Sequence, residues 1–267
     1  TVFFLQNTIA QNTYIMCGKL LDTKSGKMLS KQTIVVKENK IISVEGGYLL
    51  PKGAKSIDLR DKVVLPGFIK PSALPALVAE CDELAKVAYH TTVNANLEVV
   101  AYDQFPKDSV IRALYEWEPL MEFVARVLGE KQLYRYADPF GALNLAVMRD
   151  GHELGWHFDQ TDFVVSIALQ PSLEGGHFEN VPRIRSMGND NVETVAAIRN
   201  GERDDLVRIE PMTPGTLMVF NGRWSYHRVS KVHGAVARHV ALLAYDTKPG
   251  TDSNTELKLG RYGRLPV

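Results

Sequence analysis

The spacing of apolar positions divides this chain into three stretches. Up to about residue 69, short β-branched runs (14–17, 33–36, 40–44 and 62–65) alternate with the turn segments Ser25-Gly26-Lys27, Glu38-Asn39 and Glu45-Gly46-Gly47. That pattern predicts a meander of small strands and hairpins. From Leu74 the period becomes helical. Leu74, Leu77, Val78, Cys81, Leu84, Ala85 and Ala88 share one face, and residues 108–129 repeat the behaviour through Val110, Ile111, Leu114, Leu120, Phe123, Val124, Val127 and Leu128. Gly129 stands where a helix stop is expected. Beyond Tyr134 strands dominate, over 143–148, 163–169, 176–178, 206–209, 216–220 and 239–245. Their turns are Leu173-Glu174-Gly175-Gly176, Thr213-Pro214-Gly215 and Asn221-Gly222, with a short helix or irregular excursion over 191–201. Successive short strands without regular helix alternation predict an antiparallel sandwich or jelly roll, flanked by two outer helices.

Composition narrows the class. Of 267 residues 45% are hydrophobic, enough for one large domain or two smaller ones with a sizeable core. Lys plus Arg equals Asp plus Glu at 31 each, with no block of like charge. Neither a nucleic-acid footprint nor a polybasic membrane patch is present. No apolar run reaches the roughly 18 residues of a membrane helix, and the opening Thr1-Val2-Phe3-Phe4-Leu5 is too short and uncharged for a secretory signal. Cys17 and Cys81 lie in different segments, which suits a reducing compartment without excluding one disulfide. A soluble cytoplasmic protein without nucleic-acid or membrane partners is the expectation.

The chemistry concentrates at Gly155-Trp156-His157-Phe158-Asp159. On an extended chain, His157 and Asp159 point to the same side. Alone, such a triplet is most often accidental. Here it sits between a strand ended by Arg149-Asp150-Gly151 and the apolar run from Phe163 to Leu169, at the mouth of a sheet. His227, arriving from a distant strand, would complete a two-histidine, one-carboxylate face that leaves positions open and suits ferrous iron. Arg238, at the start of the apolar segment that follows, is a permanently charged fork able to hold a dicarboxylate two-handed. Asn144 is a candidate donor to the same co-substrate. His177, His152, Trp224 and Asp162 are candidate substrate contacts, with Ser166 and Tyr226 behind them. Trp156 is expected in the core, His239 on the opposite side from Arg238, and Arg223 and Arg228 on the surface.

Taken in order, the triplet, the Gly175-Gly176 turn before His177-Phe178-Glu179, Pro214-Gly215 before Leu217-Met218-Val219-Phe220, then His227 and Arg238 resemble the iron(II)/2-oxoglutarate-dependent oxygenases. Residues 155–159 together with 176–182 are similar to the branch that holds the free-amino-acid halogenases and their hydroxylase relatives. The resemblance spans about 74–247. It implies a double-stranded β-helix (jelly roll, cupin-like) with flanking helices. It also implies iron ligation by His157, Asp159 and His227, with 2-oxoglutarate on Arg238, dioxygen as oxidant and ascorbate as the reductant in assays. Halogenases of this group carry Gly in place of the carboxylate ligand, which makes room for chloride. Asp159 is retained here, so hydroxylation is implied. Where relatives have a Thr-Pro-Arg run this chain has Asn94-Ala95-Asn96. Polar residues that handle lysine are replaced by Phe140, Leu154 and Gln160, which points to a less polar substrate.

The opening stretch, Gly18-Lys19-Leu20-Leu21-Asp22 through Val64-Leu65-Pro66-Gly67-Phe68-Ile69, resembles the first β-subdomain of amidohydrolases. It lacks their Asp-x-His-x-His motif, since Lys70-Pro71-Ser72 follows. The expected domains are therefore a β-rich accessory or dimerisation element over 1–69, through which a homodimer could form, and a jelly-roll oxygenase over 70–267. The expected activity is oxidation, by hydroxylation, of an unactivated C–H of a small free amino acid or related metabolite, with release of succinate and CO2. Desaturation or oxidative cyclisation at the same iron, and a non-enzymatic cupin-like metal-binding module, are the alternatives.

Overall fold

The computed structural model describes residues 12–22, 27–37, 40–60, 63–65, 68–91 and 95–266. Thr1 to Leu5, the expected turns at Ser25-Gly26 and Glu38-Asn39, the pair Pro66-Gly67 and Asn94 lie outside the described residues. The chain divides between Val64 and Leu65 into two units.

In the first unit β1 (Thr13–Asp22), β2 (Lys27–Lys37), β3 (Lys40–Gly46) and β4 (Lys55–Leu59) form one sheet in the order β3-β2-β1-β4. The first three are antiparallel neighbours and β4 runs parallel to β1. Met16, Cys17, Ile34 and Val35 are its buried apolar residues. Buried Thr33 donates to the Gly47 carbonyl at 2.8 Å and accepts from the Leu49 amide at 2.9 Å, which closes the loop after β3. A short strand, β5 (Val63–Leu65), straddles the boundary.

The second unit begins with α1 (Leu74–Leu84), continued by a 3-10 turn over Ala85–Val87, and the hairpin β6 (Tyr89–Thr91) and β7 (Ala95–Val100). The single helix expected over 108–129 is two, α2 (Val110–Glu116) and α3 (Glu118–Leu128). Pro119 has no N–H to continue the helix and its ring would clash with the carbonyl four residues back, so the chain breaks at extended Trp117. Gly129 ends α3 in the left-handed conformation, φ 81°. After β8 (Tyr134–Arg135) come β9 (Leu143–Met148), β10 (Glu153–His157), β11 (Val164–Gln170), β12 (Glu174–Gly175) and β13 (Phe178–Val181). Next are α4 (Val192–Arg199), β14 (Arg208–Glu210), β15 (Leu217–Phe220), β16 (Tyr226–Val229), β17 (Val232–His233), β18 (Arg238–Leu243), β19 (Tyr245–Asp246) and α5 (Thr255–Tyr262).

The strands run in space as β14-β13-β16-β10-β7-β9-β18-β11-β15. One half, β9-β18-β11-β15, and the other, β10-β16-β13-β14, exchange the chain back and forth as it proceeds. That alternation is the winding of a double-stranded β-helix, and the expected jelly-roll core is present. Period two sorts the first half. Leu143, Leu145, Val147, Val165, Ile167, Leu169, Ala241 and Leu243 face the layer of α1, α2 and α3. Ala146, Met148 and Met218 turn inward to meet Phe178 and Val229 of the other half. With both faces buried, these strands read as unbroken apolar runs rather than alternating ones. Leu154 and Phe140, expected near the substrate, belong to this inner layer, where Phe140 meets Tyr262 edge-on at 5.5 Å. Trp156 stacks on Tyr226 at 5.0 Å on the outside of the second half, as core.

Among the described residues no helix is long and apolar enough to cross a membrane. Both cysteines are free and buried, and burial pushes the Cys81 thiol up to about 12.

Candidate active site

β10 and β16 carry the triad. Leu154 pairs with Val229, yet His157 pairs with His227, so β10 inserts an extra residue against β16. Such a bulge reverses the alternation locally. It lets Leu154 and His157 both face inward while Trp156 faces out. Asp159 follows the end of β10, fixed by its amide donating to the Gly222 carbonyl at 3.2 Å. The candidate ligand atoms of His157, Asp159 and His227 lie within 4.8 Å of one another.

The hydrogen bonds decide what those atoms offer. Nδ1 of His157 donates to the Gly155 carbonyl at 2.8 Å, and Nδ1 of His227 to the Ser225 carbonyl at 2.9 Å. A ring nitrogen facing a carbonyl carries the proton, so the neutral rings present lone pairs at Nε2. Those lone pairs face a carboxylate, His157 Nε2 3.6 Å from Asp159 Oδ1 and His227 Nε2 3.2 Å from Oδ2. Oδ2 is buried without a hydrogen-bond donor. Three converging acceptors repel one another until a cation lies between them. A divalent ion about 2.1 Å from each places them roughly 3 Å apart, which the observed spacings fit. Phe178 and Phe220 lie against the His227 ring at 5.7 and 4.9 Å and keep that side dry.

Gly222 is a site residue that the sequence marks only as a turn. A Cβ there would occupy the place of Asp159 Oδ2. Gly222→Ala is expected to displace the carboxylate and weaken divalent-metal affinity about 10- to 100-fold, the range for losing an orienting neighbour. Metal titration of the chelated protein checks this, with far-UV circular dichroism as the control for folding.

Arg238 lies on the inner face of β18, 5% exposed. Its one hydrogen-bond partner among the described residues is the Met148 sulfur at 3.7 Å. Burial pushes the guanidinium down to about 10, so it stays charged at neutral pH. It lines a cavity of about 290 Å³ together with Gly176, His177, Phe178, Glu210 and Met212. Gly175 and Gly176 both take left-handed φ, 67° and 63°, and a Cβ on Gly176 would come within 3.0 Å of Arg238 Cδ. The Gly-Gly turn thus seats the arginine. On the same inner faces, Asn180, opposite His227 and 0% exposed, and Ser166 bury polar side-chain atoms without hydrogen-bond partners. Alternation from Phe178 could have flagged Asn180.

Other expectations need correction. Asn144 is not free to donate to a ligand. Its Nδ2 donates to the Phe140 and Leu143 carbonyls, both at 2.8 Å, and its Oδ1 accepts from Tyr262 at 2.9 Å. It ties α5 to the barrel. Asp162 is paired at the surface with Arg223 at 2.5 Å, and Arg223 also donates to the Gln160 carbonyl. His152 sits beside His90 and Glu98 rather than in the triad. His177 reaches the rim of the Arg238 cavity, and Trp224 is half-buried, accepting at its carbonyl from the Arg185 amide. His239 points outward, as expected, to Asp82 of α1 at 3.1 Å. Arg228 pairs with Glu179 at 2.7 Å and covers Trp156.

The family model described as Halogenase D matches residues 50–259. A search of the curated proteins finds no match. Among solved structures, the chain is similar to an oxidoreductase of the 2OG-Fe(II) oxygenase family from Burkholderia pseudomallei, at TM-score 0.52 and 16% identity over 72% of this chain and 87% of that one. It is also similar to two enzymes of nogalamycin biosynthesis described as non-heme and alpha-ketoglutarate dependent. The carbocyclase SnoK matches at TM-score 0.54 and 16% identity over 77% of this chain and 87% of that one. The epimerase SnoN matches at TM-score 0.54 and 18% identity over 70% and 76%. At such identities these likenesses establish the shared fold. With its family model spanning most of the sequence and its core wound as theirs, the chain belongs to the halogenase D family, on the double-stranded β-helix of the 2OG-Fe(II) oxygenases.

Proposed function

We propose that this protein is a non-haem iron(II)/2-oxoglutarate-dependent oxygenase that hydroxylates an unactivated C–H of a small, weakly polar free amino acid or related metabolite. The observation that carries the reading is the convergence of two Nε2 lone pairs and an ionised carboxylate on one point, with a buried guanidinium on the inner face of the same barrel whose one hydrogen-bond partner among the described residues is a sulfur. Ferrous iron held there, with 2-oxoglutarate and dioxygen as co-substrates, would supply the oxidising power for C–H cleavage, with succinate and CO2 as the co-products.

The chain's own residues supply the rest. His157, Asp159 and His227 would hold the metal. Arg238 would pair with the far carboxylate of the keto acid. Ser166 and Asn180 offer polar side-chain atoms without hydrogen-bond partners on the inner faces of the barrel, where Phe178 and Phe220 shield the His227 side from water. His177 and Trp224 are left as substrate contacts. Asp159 supports hydroxylation over halogenation, because it fills the coordination position that a halide would take. Phe140, buried in the inner layer, and half-buried Leu154 packed against that layer support a substrate without a charged side chain.

The test is a panel of amino acids incubated with iron(II), 2-oxoglutarate and ascorbate, followed by succinate release and product mass. A gain of one oxygen on an apolar amino acid is the expected result. Loss of two hydrogens would assign desaturation or cyclisation instead. Chlorine incorporation, or no succinate above background with any member of the panel, would overturn the proposal.

A further inference from the structure

We propose that His90, Glu98 and His152 form a second divalent-cation site, of the zinc class, separate from the His157–Asp159–His227 triad. Three elements bring these residues together. His90 on β6 and Glu98 on β7 are direct partners in the antiparallel register. Directly opposed residues project from the same face of a sheet, with Cβ atoms about 5 Å apart. His152 arrives from the turn between β9 and β10, held there by its amide donating to the Arg149 carbonyl at 2.9 Å and its carbonyl accepting from the Val232 amide at 2.9 Å. The imidazoles of His90 and His152 meet edge-to-face at 5.3 Å between centroids. One candidate ligand atom from each of the three residues falls within 4.8 Å of the others.

The donor set is two imidazoles and one carboxylate. With a water in the fourth position it is the open tetrahedral arrangement that zinc takes, and imidazole-rich sites also accept cobalt or nickel. Arg149 donates through Nε to both oxygens of Glu98, at 3.1 and 3.0 Å. Each carboxylate oxygen retains a second lone pair, so the arginine orients Glu98 without exhausting it. Nδ1 of His152 is buried and meets no hydrogen-bond partner of ordinary geometry among the described residues. His90 is exposed and can swing the ångström or so needed to close the set around an ion.

The placement gives the site a purpose. The turn that carries His152 leads directly into β10, which ends in His157. An ion bound at the second site pins the β6–β7 hairpin to that turn and so stiffens the strand that presents the first ligand of the triad.

The experiment is zinc binding to the chelated full-length protein under anaerobic conditions, read by equilibrium dialysis and elemental analysis. Wild type is expected to bind two ions per chain, His90→Ala one, His157→Ala one, and the double variant none. Zinc should raise the unfolding temperature of His157→Ala but not of the double variant, because only a native-state site couples binding to stability. His90 is exposed, so its replacement leaves the packing unchanged, and circular dichroism of the apo proteins verifies that. Two ions retained by His90→Ala would overturn the proposal. So would a single wild-type ion that disappears in His157→Ala. A single ion lost in His90→Ala but kept in His157→Ala would support this site while removing the oxygenase reading of the other.

Discussion

His157→Ala is expected to abolish 2-oxoglutarate-dependent succinate formation, lowering it by more than about 100-fold. Loss of a residue that merely orients a ligand costs about 10- to 100-fold in metal affinity or activity, and losing the ligand itself costs more. The replacement removes one of three donors and leaves Asp159 facing a single lone pair, at 3.2 Å from His227. His157 is the better position for this test than His227, which is 3% exposed and whose truncation would also open a cavity against Phe178 and Phe220. The measurements are iron content after anaerobic reconstitution and succinate release. Asp159→Gly should likewise abolish hydroxylation, and chloride-dependent binding to that variant would show that the carboxylate alone bars a halide. Wild-type rates in His157→Ala, with folding unchanged, would remove the basis of the proposed function.

Arg238→Leu is expected to raise the KM for 2-oxoglutarate by about 100-fold or more. Hydrogen bonds to charged groups contribute about 1.5–3 kcal/mol each, so a two-handed grip on a carboxylate amounts to at least about 3 kcal/mol. Arg238→Lys keeps the charge but loses the planar fork, and should recover only part of the affinity. A second readout moves the other way. The guanidinium is buried with a weak sulfur acceptor as its hydrogen-bond partner among the described residues, so its charge weighs against the folded protein without ligand. Arg238→Leu should therefore leave the unfolding temperature of the ligand-free protein unchanged or raise it. An arginine with a structural role would give the reverse pattern, lower stability with KM unaffected.

The residues that can be read along one dimension were legible. The His-x-Asp triplet and the apolar strand after Arg238 are local patterns, and the site assembled from them needed only His227 to arrive. What sequence missed was competition for hydrogen bonds. Asn144 has the right chemistry for a co-substrate donor, but Tyr262, far along the chain, and the Phe140 carbonyl claim it first. Asp162 lost its apparent role to Arg223 in the same way. Asn180 went unnoticed because an asparagine in a short strand carries no signal until its neighbours are known. Pro119 was legible as a helix breaker, yet the helical period runs through it on both sides and hides the break.

Period and turn chemistry, which act over a few residues, determined by themselves the longer apolar strands, the helical segments and the candidate ligands His157 and Asp159. Only the tertiary structure decided the bulge that turns His157 inward beside His227, the space Gly222 leaves for Asp159, and the meeting of His90 with His152. Those depend on register between strands far apart in sequence, and register is set by the packing of two faces that no single segment contains.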